Sequence, residues 1–260
     1  MKIDLELARR LERLGALNAA DYAHALRRLE PASGAEVFAV GEGWGVLMGP
    51  KHPVNWVHAA EFGELSEADL QGAESRFARL GLPLRLSFCP LGLARNLERL
   101  GRRGYRAVSF MNLYVQPLAP LEVRPPEGVE IRRARSLEEW LLASRNAWGE
   151  GGAGDLFQRV ALERPEAQSF VAVADGRPVA VAALRVREGV AFLNGTGTMP
   201  QYRGRGIQRA LVQARLALAH RAGCELAVVA AVPGGQSAHN LERFGFGLAY
   251  TRVNLEGQTG

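Results

Sequence analysis

The chain has 260 residues, a hydrophobic fraction of 47% and a net charge of +5, which suits one large or two medium globular domains. No run approaches the roughly 18 apolar residues of a membrane span, and two isolated cysteines, Cys89 and Cys224, give neither a disulfide framework nor a thiolate metal cage. The cations are nearly all arginine, Lys2 and Lys51 being the only lysines, and they are mixed with acids along the whole chain, so the charge reads as solvated surface and not as a nucleic-acid interface.

The first element is a helix over 3–30, with Leu5, Ala8, Leu11 and Leu14 on one stripe and Arg9, Arg10, Glu12 and Arg13 on the other side. Asn18 or Asp21 can cap a second segment into Tyr22–Leu29. Short strands follow at 36–40, 44–48 and 55–60. Ser66 then heads a helix running to about Leu80, with acids in its first turn. The pattern continues as strand 84–88, helix 91–103 and a long strand over 105–115.

Residues 117–128 hold four prolines, Pro117, Pro120, Pro125 and Pro126, and read as a linker. The expected division is therefore a first domain over 1–116, the linker over 117–128, and a second domain over 129–260. Past the linker come strand 129–133, a Ser136-capped helix to Trp148, a glycine-rich stretch over 150–154 and a helix over 155–163. A hairpin over 169–186 turns at Asp175-Gly176, and a strand over 191–198 follows.

That last strand leads into the stretch that carries chemistry, F-L-N-G-T-G-T-M-P-Q-Y-R-G-R-G-I-Q-R over 192–209. Gly204 and Gly206 sit where a strand gives way to an amphipathic helix with Ile207, Ala210, Leu211, Ala214, Leu218 and Ala219 on one stripe. Backbone N–H groups there lack intrahelical partners and the positive end of the helix dipole faces outward. Glycine lets an anion approach closely, and Arg203 and Arg205 add fixed charge, so the turn is built to hold a pyrophosphate.

Gln201-Tyr202-Arg203-Gly204-Arg205-Gly206 resembles motif A, Q/R-x-x-G-x-G/A, of the GNAT superfamily of acyl-CoA-dependent N-acyltransferases. The resemblance covers roughly 128–255. It departs from the family at Gln208, where a third Gly or Ala is usual, and at Leu241, where many members carry a tyrosine that protonates the leaving thiolate. It implies that the backbone from Arg203 through Gly204, Arg205, Gly206 and Ile207 to Gln208 grips the pyrophosphate of acetyl-CoA. The strand edge through Asn194, Thr196, Gly197 and Thr198 would then run along the pantetheine arm, with an N–H near Gly197 or Thr198 polarising the acyl carbonyl. Gly195 and Gly197 suggest a bulge there; tight packing is the other reading.

Ser237 and Asn240, in a pattern S-x-x-N-L-E-R-x-G-F shared with related members, are expected to hydrogen-bond the pantetheine or the sulfur; Ser237 is equally well read as a helix N-cap. Asn194 can position a water, and Glu150 and Asp155 are candidate bases.

The two halves also resemble each other. Asn96-Leu97-Glu98-Arg99-Leu100-Gly101 matches Asn240-Leu241-Glu242-Arg243-Phe244-Gly245, and the segments around both correspond in order. The expected fold class is α/β (α+β): two tandem GNAT-like domains, each a mixed, mostly antiparallel sheet flanked by helices. The first-half counterpart of the phosphate turn, Phe62–Asp69, has one glycine and three acids, so the first half is not expected to bind CoA.

The function this implies is an acetyl-CoA-dependent N-acetyltransferase acting on a small-molecule or peptide amine, without metal, nucleic acid or membrane. The chain is expected to work as a cytoplasmic monomer. A CoA-binding module without turnover is the alternative.

Overall fold

A computed structural model describes residues 2–50, 52–149 and 154–258. In chain order the elements are α1 (Leu5–Leu29), β1 (Glu36–Val40), β2 (Gly43–Leu47), β3 (Trp56–His58), α2 (Glu67–Ala78), β4 (Arg85–Phe88), α3 (Ala94–Arg102), β5 (Arg106–Pro117), β6 (Val129–Arg133), α4 (Leu137–Trp148), α5 (Asp155–Leu162), β7 (Ala167–Ala174), β8 (Arg177–Arg187), β9 (Val190–Thr198), α6 (Ile207–Arg221), β10 (Leu226–Ala231), α7 (Gln236–Arg243) and β11 (Gly247–Glu256). The fold is mixed α/β, mostly antiparallel sheet flanked by helices. It divides into two compact units, Met1–Leu113 with Ala231–His239 and Leu248–Gly260, and Tyr114–Ala230 with Asn240–Gly247. The expected division keeps 129–260 in one piece, whereas here the C-terminal strand belongs to the first unit because it pairs with β4.

In the first unit the strand order is β1-β2-β3-β4-β11-β5. The pairs β1/β2, β2/β3 and β4/β11 are antiparallel, and β3/β4 is parallel through Val57–Leu86 and His58–Ser87. Helix α1 lies on β1, β2 and β3. It is one unbroken helix capped by Asp4, whose side chain accepts from Leu7 N; Asn18 and Asp21 are buried within it and not at the start of a second helix. Apolar burial centres on Val40, Leu47, Leu70, Phe77, Leu86 and Phe88.

Glu12 is a second departure. It is 2% exposed, not on the solvent face, and its Oε1 accepts hydrogen bonds from Tyr250 Oη and Arg252 Nε, both at 2.7 Å. Beside it lies Glu61, whose Oε1 accepts from Cys89 N at 3.0 Å, and the Arg252 charge acts on His58, whose Nε2 is buried without a hydrogen-bond partner. Burial, and then the Glu12 carboxylate, push Glu61 up to about 8. Burial also pushes the Cys89 thiol up to about 12, and burial reinforced by the Arg252 charge takes His58 down to about 3.

Helix α2 starts as its sequence reads. Ser66 Oγ accepts from Asp69 N at 3.1 Å, and Asp69 Oδ2 accepts from Ser66 N at 2.9 Å, closing a capping box. Ser66→Ala removes one arm of that box and is expected to cost about 1 kcal/mol in urea unfolding. The α2 N-terminus thus holds two of its backbone donors with its own Ser66 and Asp69 side chains, and Glu64 and Glu67 are paired with Arg99 and Arg103.

In the second unit the order is β5-β10-β9-β8-β7-β6, β5 contributing its last residues here. Strands β6 to β9 form an antiparallel meander, and β9/β10 is parallel. Both units therefore run three antiparallel strands into a helix and a parallel strand: β1-β2-β3-α2-β4 and β7-β8-β9-α6-β10. Helix α4 packs on β7, β8 and β9 through Trp140, Ala143 and Ala147, and α6 packs on β8 and β9.

Candidate active site

The site is assembled from one strand and the helix that follows it. β9 pairs with β8 along most of its length, but the register slips. Ala183 faces Asn194 and Val181 faces Gly197, so Gly195 and Thr196 together oppose Ala182. Gly195 takes φ +57°, a conformation that glycine adopts without strain.

Gly197 serves a different purpose. A Cβ there would sit 2.4 Å from Trp148 Nε1 and 3.0 Å from Ala147 Cβ, so its missing side chain is what lets the end of α4 close onto the strand. Both sequence readings of these glycines therefore apply, one to each. Asn146 Nδ2 fixes α4 by donating to Pro178 O of β8 at 3.2 Å.

On its other edge β9 parts from its neighbour. The β9/β10 ladder runs only from Val190–Leu226 to Phe192–Val228, although both strands continue. Beyond Phe192 the edge through Asn194, Thr196 and Thr198 has no partner strand on that side among the described residues. This leaves an opening bordered by backbone N–H and C=O groups.

Past Thr198 the chain makes a short turn over Pro200–Tyr202 and enters α6. Gly204 and Gly206 take φ +76° and +78°. Gly206 is the N-cap of α6, no side chain caps the helix, and no acid lies in its first turn. Ala210 N makes the first bond back, to Gly206 O at 3.1 Å, so the N–H groups of Ile207, Gln208 and Arg209 have no intrahelical acceptor. A Cβ on Gly204 would meet nothing within 4 Å. Arg203 to Gly206 are exposed, and the Ile207 side chain is buried as an anchor.

This is the opposite of the self-capped α2. The donor set is a helix N-terminus flanked by glycine and cations, and it fits a pyrophosphate.

The arginines of the turn are held in place. Arg203 Nε donates to Thr198 O at 3.1 Å. Arg205 stacks on the Tyr202 ring with its guanidinium carbon 4.9 Å from the centroid, and Arg177 stacks at 5.5 Å. Tyr202 Oη accepts from Arg177 Nη2 at 2.9 Å and donates to Asp175 Oδ2 at 2.8 Å. Gln208 Oε1 accepts from Asn240 Nδ2 at 2.6 Å, which ties α7 to the first turn of α6.

Among the other sequence candidates, Ser237 is exposed inside the first turn of α7, which begins at Gln236. Leu241 is buried at 3% exposure and offers no acid, while Tyr114 Oη donates to Glu242 Oε1 at 2.7 Å. Asp155 is paired with Arg145, whose hydrogen bond holds its carboxyl below the usual range, so it is poorly suited to take a proton. Glu150 lies outside the described residues.

Sequence reasoning missed Arg215. It is 1% exposed in α6 and donates to Leu211 O, Ala183 O and Asn194 O. Burial lowers it to about 9. The signal was available, since 215 is in register with Ile207 and Leu211 on the apolar stripe. Among the described residues no group of three or more His, Cys, Asp or Glu side chains is disposed to hold a metal ion, and no helix is long and apolar enough to cross a membrane.

Residues 134–246 match the model of the acetyltransferase (GNAT) family. No curated protein matches the chain. Among solved structures, it is similar to a GCN5-related N-acetyltransferase from Kribbella flavida at 22% identity and TM-score 0.69, covering 94% of this chain and 96% of that one. A functionally unknown conserved protein from Staphylococcus epidermidis is similar at 14% identity and TM-score 0.60, covering 88% and 96%. A tandem GNAT protein from the clavulanic acid biosynthesis pathway is similar at 15% identity and TM-score 0.58, covering 83% and 74%. These structural likenesses are of fold. The GNAT match, in contrast, falls on the segment that holds the bulged strand, the glycine turn and α6.

Proposed function

We propose that residues 129–260 carry an acetyl-CoA-dependent N-acetyltransferase acting on a primary amine by direct attack in a ternary complex. The carrying observation is the uncapped, acid-free glycine turn of α6 at the end of a bulged strand whose ladder with β10 stops at Phe192. In this reading the N–H groups of Gly204 to Gln208 hold the pyrophosphate, and Arg203 and Arg205 add charge. The β9 edge from Asn194 through Thr196 to Thr198 receives the pantetheine arm, and an N–H near Gly197 or Thr198 stabilises the carbonyl oxygen as charge develops on it. The amine nitrogen bonds to the acyl carbon as the carbon–sulfur bond breaks; the sulfur leaves as thiolate and is protonated, and the new amide nitrogen loses a proton.

Asn240 orients Gln208 at the cradle, and Asn194 is assigned to an ordered water. Residues 1–116 are taken as a duplicated half of the same design that has lost its donor site. The matching order of elements supports this, as does the self-capped α2. The chain is taken to act as a cytoplasmic monomer.

A second reading, CoA binding without turnover, is favoured by Leu241 and by the engagement of Asp155 with Arg145. Calorimetric titration with acetyl-CoA is expected to give one site per chain, with a dissociation constant on the order of micromolar, about −8 kcal/mol. A panel of primary amines then separates the readings, because only an enzyme releases thiol from acetyl-CoA. Two sites would overturn the reading of residues 1–116, and no binding would overturn the cradle.

A further inference from the structure

We propose that Arg215 is a positioning residue for acyl transfer, tying the bulge of β9 to the helix that carries the phosphate turn. The proposal rests on the acyl-CoA reading of the site. The Ala183 and Asn194 oxygens that Arg215 Nη1 reaches, at 3.2 and 3.4 Å, belong to the cross-strand pair at which the β8/β9 register slips. Arg215 Nε meanwhile holds Leu211 O of its own helix at 3.0 Å. A bulge disrupts the ladder locally, and buried carbonyls there need donors from elsewhere.

An isolated buried cation is costly, and no carboxylate pairs with Arg215 among the described residues. Packing alone therefore favours an apolar side chain at this position. What the guanidinium supplies is a rigid link. Arg215 lies eight residues after Ile207, about 12 Å along the helix axis. One continuous helix thus has its phosphate-facing N-terminus at one end and its grip on the bulge two turns on. The N–H groups of Gly197 and Thr198, just past the bulge, keep a fixed place relative to the donor's phosphates.

The test compares Arg215→Met, which keeps length and packing but cannot donate, with Arg215→Lys, which keeps one donor and the charge. Three readouts are taken: amide hydrogen exchange across 193–199 without ligand, the dissociation constant for CoA, and the rate of thiol release from acetyl-CoA with the most reactive amine. Arg215→Met is expected to speed exchange over 193–199 at least ~10-fold relative to β6 and β7, and to lower turnover on the order of 10- to 100-fold. CoA affinity should stay within about 3-fold, because the cradle itself is untouched, and Arg215→Lys should recover part of the turnover.

A purely structural role predicts a lower melting temperature with uniform exchange changes and unchanged turnover in the folded fraction, and that outcome overturns the proposal. If Arg215→Met does not fold, Arg215→Gln is read against the same three measures. If the wild type binds no CoA, the site reading fails, and exchange over 193–199 still decides whether Arg215 holds the bulge.

Discussion

Gly206→Glu is expected to leave the protein folded and to weaken CoA binding at least ~100-fold, about 2.7 kcal/mol. Gly206 is the N-cap of α6 at φ +78°, so any L-residue there incurs strain of about 1–2 kcal/mol, which a domain tolerates. Its Cβ would meet Pro126 Cγ at 3.5 Å, an ordinary contact. The damage comes from charge. A carboxylate at this point satisfies the donors of the first turn and cancels the positive end of the helix dipole. It also stands against the phosphates themselves: two like charges 4 Å apart repel by about 1 kcal/mol in water and about 4 kcal/mol near a protein surface. Gly206→Ala has the strain without the charge and should lose less than about 10-fold. Calorimetry with CoA and circular dichroism on both variants provide the check. Unchanged affinity in a folded Gly206→Glu protein would sink the cradle assignment.

The contrast between α6 and α2 was legible in the chain because it is local. Ser66 with Asp69 spells a capping box, and Arg203-Gly204-Arg205-Gly206 spells an open one, so neighbouring residues decide both. Most elements were readable for the same reason. What escaped depends on residues far apart. Nothing within Gly247–Glu256 says that this strand pairs with β4 in the first unit, because any exposed edge of suitable register accepts it. Two glycines spaced by one residue look alike in sequence, yet Gly195 is needed for its backbone angle and Gly197 for the indole of Trp148.

Buried charge was misread in a more instructive way. Glu12 and Arg215 stand on the apolar stripes of their helices, in register with Ala8 and Ala16 and with Ile207 and Leu211. The sequence reading nonetheless set Glu12 on the solvent side and did not single out Arg215. The default rule that charge faces water decided that reading, and only the partners, Tyr250 and Arg252 for one and three carbonyls for the other, explain why the rule fails.

Glu61→Gln should make the protein more stable at pH 8, even though it removes an acid that accepts a backbone hydrogen bond. Glu61 is 1% exposed and is held at about 8 against an ordinary 4.5, by burial first and the Glu12 carboxylate second, with Arg252 pulling the other way. Its neutral form therefore fits the fold. Below pH 4.5 folded and unfolded chains both carry the proton and the contribution is fully present. As pH rises from 4.5 to 8 the unfolded chain releases the proton while the folded chain keeps it, so stability falls by up to about 1.4 kcal/mol per unit.

His58 works in the opposite sense. At about 3 in the fold against 6.5 unfolded, it costs stability as pH drops below 6.5. The two slopes oppose each other between pH 4.5 and 6.5. Above 6.5 only Glu61 remains of this pair, and the wild type should lose about 2 kcal/mol between pH 6.5 and 8. Cys89, raised to about 12 by burial, stays protonated throughout that window. Glutamine keeps an oxygen for Cys89 N and cannot ionise, so the variant should be flat over the same range and exceed the wild type at pH 8 by about 2 kcal/mol or more. Urea unfolding at half-unit steps from pH 6 to 8.5 reads this directly. Parallel curves for the two proteins would mean that Glu61 is already ionised in the fold, its charge carried by Arg252.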